Sequence, residues 1–416
     1  MSLEVRAIDE TEFPAWLRAK RVGFLRPPVV SDEEVADRLP HTDLSRTYGA
    51  FDRGRMVATF LSFDQRLSTV GGADLAANAV SGVTVSPTHR RRGLLSRMMG
   101  EDLALAKERG DACATLIAAE YPIYGRFGFG VASWTTEWAV DVTRAGFDRR
   151  RPGPAAEDGG GRIDLSDGAE IRKEGPALHR RLAARRAGVT DRTARHWDVG
   201  TGNAHHAEPW TEPFYALYRN DAGEAEGYVA YTSDDKWSDT KQPVNTASVR
   251  DLVAVTPAAE SALWRYVCSV DWITRVRTGY RAPDDLLPLL LPDPRAAQVV
   301  THADMLWLRI LDVPKVLEPR TYATEGTLVL DVRDGAGFAG GRFRLDASPE
   351  GGAVTPADAS PDLVLDVADL ATLVLGDESA VRLAALGRVA EGVPGAAARA
   401  DLLLRTSQRP WSMDIF

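Results

Sequence analysis

Val80-Ser81-Gly82-Val83-Thr84-Val85-Ser86-Pro87-Thr88-His89-Arg90-Arg91-Arg92-Gly93-Leu94-Leu95 joins an apolar run to three arginines, a glycine and the start of an apolar helix. Residues 79–86 read as a strand stopped by Pro87. Residues 94–108 read as a helix, with Leu94, Leu95, Met98, Met99, Leu103 and Ala106 apolar and Gly110 closing it. A helix N-terminus leaves backbone N–H groups unpaired and carries partial positive charge. A glycine there lets the backbone approach a ligand, and arginines add fork-shaped donors. Strand, basic loop and helix in that order predict an anion site, most often for phosphate. The bland alternative is a basic cap that is merely solvated.

Working outward, residues 3–9 read as a strand and residues 12–24 as an amphipathic helix with Phe13, Trp16, Leu17 and Val22 on or near one face. Residues 47–52 and 56–63 alternate around Asp52-Arg53-Gly54, a hairpin signal, and residues 112–119 form a strand of small and β-branched residues. Strand, helix, three strands, helix, strand is a mixed α/β layer. Residues 148–161, rich in proline, glycine and charge, read as a linker. Four prolines interrupt residues 283–294. Beyond them, residues 327–333, 341–347 and 363–367 read as strands and residues 381–390 as a helix. One echo stands out. Val83-Thr84-Val85-Ser86-Pro87 is matched by Val253-Ala254-Val255-Thr256-Pro257, again a strand ended by proline and followed by a helix, over residues 259–270. The unit occurs twice, and only the first copy carries the basic loop.

The 416 residues suffice for two to four domains. A net charge of −9 argues against a general nucleic-acid or anionic-membrane binder, which needs a basic footprint. Cys113 and Cys268 lie in apolar runs and read as buried free thiols of a cytoplasmic protein. No run approaches the ~18 apolar residues of a membrane span, and the N-terminus lacks a signal core. The seven histidines form no metal pattern: His205 and His206 are adjacent, without a suitably spaced partner. No metal is expected.

Residues 83–93 resemble motif A of the GNAT N-acetyltransferase superfamily. Downstream, Ile123-Tyr124-Gly125-Arg126-Phe127-Gly128-Phe129-Gly130 resembles the Eis (enhanced intracellular survival) branch of that superfamily. The resemblance implies two tandem GNAT folds, the second degenerate, and a C-terminal α+β domain like sterol carrier proteins. The expected boundaries are residues 1–147, 148–295 and 296–416, and the expected assembly is a homohexamer. It implies acetyl-CoA as cosubstrate. Val83, Thr84 and Val85 would pair through their backbone with the pantetheine arm. Arg90, Arg91, Arg92, Gly93, Leu94, Leu95 and Ser96 would surround the pyrophosphate, while Ala119 and Glu120 would border the acetyl end. Leu95 stands where the wider superfamily has a small residue.

The resemblance makes Tyr124 the proton donor to the CoA sulfur, with Tyr121 as rival. It makes the carboxylate of Phe416 the proton acceptor, with Asp414 and Glu120 as fallbacks; the plainer reading is an end segment packed on its own domain. An acidic pocket would attract the acceptor's ammonium. An aminoglycoside-like polyamine and a protein lysine both remain open as acceptors. Residues before Phe63 do not align with the family pattern, which leaves Arg26 either in the pocket or outside it. A second class of function is a non-catalytic lipid or small-molecule carrier using the C-terminal domain.

Overall fold

The computed structural model describes residues 3–147, 161–204 and 210–416. The expected linker, apart from Gly161, and both His205 and His206 lie outside them. The first sheet opens with β1 (Glu4–Ala7), followed by the helix α1 (Phe13–Gly23). Asp9 and Glu12 form a reciprocal capping box ahead of α1. Phe13, Trp16 and Leu17 are buried, and the Trp16 indole donates to the Tyr48 carbonyl (2.9 Å). Val22, expected on that face, is 51% exposed, because it falls off the i, i+3, i+4 stripe. After α2 (Asp32–Arg38) come β2 (Thr47–Asp52) and β3 (Arg55–Ser68), whose turn at Arg53 and Gly54 has positive φ at both residues (51° and 75°). That is the hairpin geometry whose twist matches the flanking strands. The strand β4 (Asp74–Val85) follows, then α3 (Leu94–Arg109), then β5 (Cys113–Ile117), parallel to β4, and the short β6 (Gly130–Val131).

The second sheet takes β7 (Trp134–Asp141), β8 (Arg162–Ser166), β9 (Phe214–Arg219), β10 (Ala225–Ser233), β11 (Asn245–Ala254), β12 (Ile273–Arg277) and β13 (Ala297–Asp304). Its one parallel pair, β11 with β12, flanks the helix Pro257–Ser269 as β4 and β5 flank α3. The echo seen in the sequence is thus one crossover unit repeated. The chain then returns to the first sheet, where β14 (Leu306–Ile310) pairs with β5 along its whole length. The three expected segments therefore exchange strands.

The third sheet is built from β15 (Gly326–Arg333), β16 (Gly341–Ser348), β17 (Gly351–Pro356), β18 (Leu363–Asp366) and β19 (Val389–Glu391). The helix expected over residues 381–390 spans only Ala380–Ala385, because a turn at Gly387 (φ 72°) ends it and Val389 begins a strand. Leu67, Leu75 and Cys113 of the first sheet share one apolar core with Leu328, Leu345 and Leu365 of the third and with Leu370 of the helix Val367–Leu373 that follows β18. Cys113 and Cys268 are buried and unpaired.

Candidate active site

β4 and β5 part company. Their parallel pairing runs only from Ala77↔Cys113 to Ala79↔Thr115, although β4 continues to Val85. β14 holds β5 on its far side, so β4 is the strand that peels away. A register shift between Thr59 and Leu61 of β3, with Gly82 at φ 61°, puts a bulge in β4 at the point of departure. The gap is a cavity of about 1400 Å³. Val80, Ser81, Gly82 and Val83 form one wall; Leu116, Ile117, Ala118 and Ala119 form the other. The backbone of residues 80–85 pairs with β3 on one side only and leaves the side toward the cavity free. Of the three strand residues expected to meet the cofactor, Val83 lines the cavity. Thr84 is buried, its hydroxyl 2.7 Å from that of Thr59, while Thr84 and Val85 pair with Thr59 and Ala58.

The basic loop follows β4. Arg91 and Gly93 both have left-handed backbone (φ 62° and 76°). A Cβ on Gly93 would meet nothing within 4 Å, so the backbone angle rather than space requires glycine there. No side chain caps α3, and the first bond into the helix is donated by Arg97 to the Gly93 carbonyl (3.0 Å). The N–H groups of Leu94, Leu95 and Ser96 precede that bond, the usual unpaired set at a helix start. Arg90, Arg91 and Arg92 are exposed; Arg92 donates to the Thr88 carbonyl (3.3 Å) and Arg90 stands 4.0 Å from the Glu120 carboxylate. His89 ties the loop to Asp52 (3.2 Å). In the repeated unit, the Thr256 hydroxyl oxygen accepts from the Ala259 N–H (3.2 Å) and its O–H donates to Glu226 (2.9 Å). That second helix start is closed by its own side chain, which the first is not.

Tyr124 is 7% exposed, lines the cavity and meets Phe129 edge-on at 6.2 Å. Among the described residues its hydroxyl has no hydrogen-bond partner, and burial, followed by the nearby Glu120 carboxylate, raises its pKa above the ordinary tyrosine value. Tyr121 is 56% exposed and packs on Trp307 at 4.9 Å, away from the cavity. Ala119 and Glu120 are exposed at the end of β5.

The C-terminal segment leaves its own sheet. The Trp411 N–H donates to the Ala187 carbonyl (2.9 Å), and the Arg281 guanidinium lies 4.5 Å from the center of the Trp411 ring. Asp414 is gripped by Arg192 (2.8 and 2.9 Å), which also holds Asp251 (2.7 Å). Ile415 and Phe416 then reach the cavity, with the Phe416 ring edge-on to Phe63 at 5.9 Å. The tail thus packs on the second and first parts of the chain. Asp414 is committed to Arg192.

The far side of the cavity departs from expectation. Arg26 lines it, together with Lys20, Arg21 and Arg38 of the α1–α2 region and Arg250 of β11. The carboxylates there, Glu34 and Asp234, are already engaged: Glu34 by Arg21 (2.7 Å) and Arg38 (3.0 Å), Asp234 by Lys236 (2.8 Å). The side chains around this end are basic rather than acidic. Lys20 and Arg250 escape sequence reasoning, because they lie 230 positions apart and only folding brings them to one cavity.

Among the described residues, no group of three or more His, Cys, Asp or Glu is placed to hold a metal, and no helix is long and apolar enough to cross a membrane. Residues 4–132 and 188–310 each match an acetyltransferase (GNAT) domain family, and residues 313–413 match a sterol carrier protein domain family. The chain is 60% identical to an uncharacterized N-acetyltransferase of Streptomyces griseus over the full length of both. It is 36% identical to N-acetyltransferase Eis of Mycobacterium tuberculosis over 82% of this chain and 81% of that one. The crystal structure of Eis1 from Mycobacterium abscessus superposes with a TM-score of 0.85 at 29% identity, covering 99% of this chain and all of the other.

Proposed function

This chain belongs to the Eis-type GNAT N-acetyltransferases, and from that membership we propose that it moves the acetyl group of acetyl-CoA onto an amine held between β4 and β5. It is an N-acetyltransferase. The observation that carries the finer reading is the parted strand pair, with Tyr124 and Phe416 both lining the resulting cavity. Drug-sized sites occupy roughly 300–1,000 Å³; this cavity exceeds that and has room for a cofactor arm and an acceptor together.

The residues divide the work. The free backbone edge of Val83, Thr84 and Val85 offers N–H and C=O groups to the amides of a pantetheine arm. Arg90, Arg91, Arg92 and the open α3 start, Gly93 to Ser96, offer charge and N–H donors to a pyrophosphate. Ala119 and Glu120 border the acetyl end. Acetyl-CoA supplies the activated acyl group: a bond forms from the amine nitrogen to the carbonyl carbon, and the carbon–sulfur bond breaks. Tyr124 gives its proton to the departing sulfur. The carboxylate of Phe416 takes the proton the nitrogen loses, directly or through water, so that one proton leaves and one arrives. Holding both partners in line supplies much of the remaining rate. The second unit, with its helix start capped by Thr256, takes no cofactor. No metal takes part.

The same membership supports a homohexamer working in the cytoplasm, with neither nucleic acid nor membrane as partner. A carrier role has less behind it, because the basic loop and Tyr124 at the parted strands serve transfer chemistry and have no part in carrying a lipid. Calorimetric titration with acetyl-CoA tests the reading. One molecule per chain is expected, weakened at least tenfold by joint Arg90→Ala and Arg91→Ala replacement, since a charge-assisted contact is worth roughly 1.5–3 kcal/mol. Unchanged affinity in a folded double variant would contradict it.

A further inference from the structure

Three cations face the cavity without a carboxylate in ion-pair contact. Lys20, Arg26 and Arg250 have no acidic partner within ion-pair distance among the described residues: the lining side-chain acids, Glu34 and Asp234, are engaged by other cations, and the Phe416 carboxylate, which shares the cavity, makes no ion pair with the three. They come from different parts of the chain. Lys20 is on α1 and Arg26 just beyond it; Arg250 is on β11 of the second sheet, where it donates to the Thr232 hydroxyl (3.3 Å). Lys20 is half-buried over the Trp16 ring (5.4 Å), so it has lost water without a carboxylate in ion-pair contact, Glu34 acting on it only from a distance. Burial, then the fields of Arg38 and Arg26, bring its pKa down to about 8. Arg26 and Arg250 are exposed and keep their water, but with Lys20 they put positive charge on two walls of one cavity, a field that favours an anion between them.

That anion is not the cofactor's pyrophosphate. The loop of Arg90 to Ser96 follows the C-terminal end of β4 and does not line this part of the cavity. Lys20 instead sits at the β4 bulge, where a Cβ on Gly82 would lie 3.5 Å from its Cε. The bulge is the place where β4 leaves β5 and where the acceptor meets the acetyl end.

On the reading that this cavity performs acetyl transfer, we propose that its acceptor is an amine that also carries an oxyanion, a carboxylate or a phosphate, held by Lys20, Arg26 and Arg250. A polycationic acceptor meets repulsion there. The same field assists the chemistry, because a bound ammonium among these cations gives up its proton more readily and attacks as the neutral amine.

The test is steady-state acetylation of matched probes: β-alanine against β-alaninamide, phosphoethanolamine against ethanolamine, and spermidine as the polycation. The anionic member of at least one pair is expected to show a kcat/KM at least about tenfold higher, the worth of one charge-assisted hydrogen bond, and which pair responds separates carboxylate from phosphate. In Lys20→Gln and in Arg250→Gln that preference should narrow, while the acetyl-CoA Kd stays at the wild-type value. Arg250 is exposed, so its variant keeps the test open if the half-buried Lys20 position does not tolerate change. Equal rates within both pairs, or spermidine as the best acceptor, would overturn the charge inference alone. A raised acetyl-CoA Kd in Lys20→Gln would reassign the cations to the cofactor and overturn it too. Acetyl-CoA binding with no acetylation of any probe would overturn the transfer reading beneath it.

Discussion

At Tyr124 burial works in the direction that an acid needs. The ring is packed on Phe129, the hydroxyl has no hydrogen-bond partner among the described residues, and the pKa is pushed upward. Tyr124→Phe removes one oxygen and little volume, so acetyl-CoA affinity should persist while kcat falls roughly 10²–10⁴-fold, the usual worth of a general acid. Retention of more than half the turnover would move the role elsewhere. The sign of the pH effect follows from the shift. A raised pKa keeps the proton on Tyr124 through neutral and mildly alkaline pH, so the alkaline loss of kcat should lie above the ordinary tyrosine value of ~10. A loss of kcat centred below that value would contradict the assignment. Tyr124 was legible in the sequence because the local motif around it is specific. The basic end of the cavity was not: Lys20 and Arg250 carry no local signal, and their meeting depends on two sheets docking.

The decisive element is the separation of β4 from β5. β4 could be read from the apolar run that Pro87 stops, β5 from its small and β-branched residues, and α3 from its spacing and its closing Gly110. Where pairing stops was hidden, because it depends on the bulge at Gly82 and on β14, contributed from nearly 200 residues downstream of β5. The repeated crossover was legible for the same reason as the first, and Thr256 shows what closes it. The end segment was legible only as unusually apolar; its grip by Arg192 could not be read, since Arg192 is 222 positions from Asp414. That grip holds the approach to Phe416. Asp414→Asn removes one charge and leaves Arg192 its bond to Asp251, so the fold should persist. Loosening the tail should cost roughly 10–100-fold in kcat, in line with small misplacements at reacting centers. The acetyl-CoA Kd and the midpoints of the pH profile should stay as in the wild type. If a limb of that profile vanished instead, Asp414 would be the proton acceptor and not a positioning residue.

At the scale of the whole molecule, one cavity draws on all three parts of the chain: β4 and β5 of the first sheet, Arg250 of the second, and the tail that follows the third. This explains why domains read from linkers alone miss the exchange of strands between sheets. A mixed α/β layer repeated once was within reach of periodicity; the return of β14 to the first sheet was not, since nothing local to its short buried run names the strand it pairs with. For the assembly, light scattering should give six times the chain's mass, and a monomer would contradict the hexamer. The account stands most directly on the last residue. One glycine added after Phe416 keeps every native side chain but moves the carboxylate by up to ~3.6 Å. Turnover and acetyl-CoA affinity measured together on that variant decide the matter. The account predicts a folded protein that binds acetyl-CoA as the wild type does and is nearly inactive. Acetylation at the wild-type rate would contradict it and hand the proton to another acceptor, with Glu120 acting through water next in line.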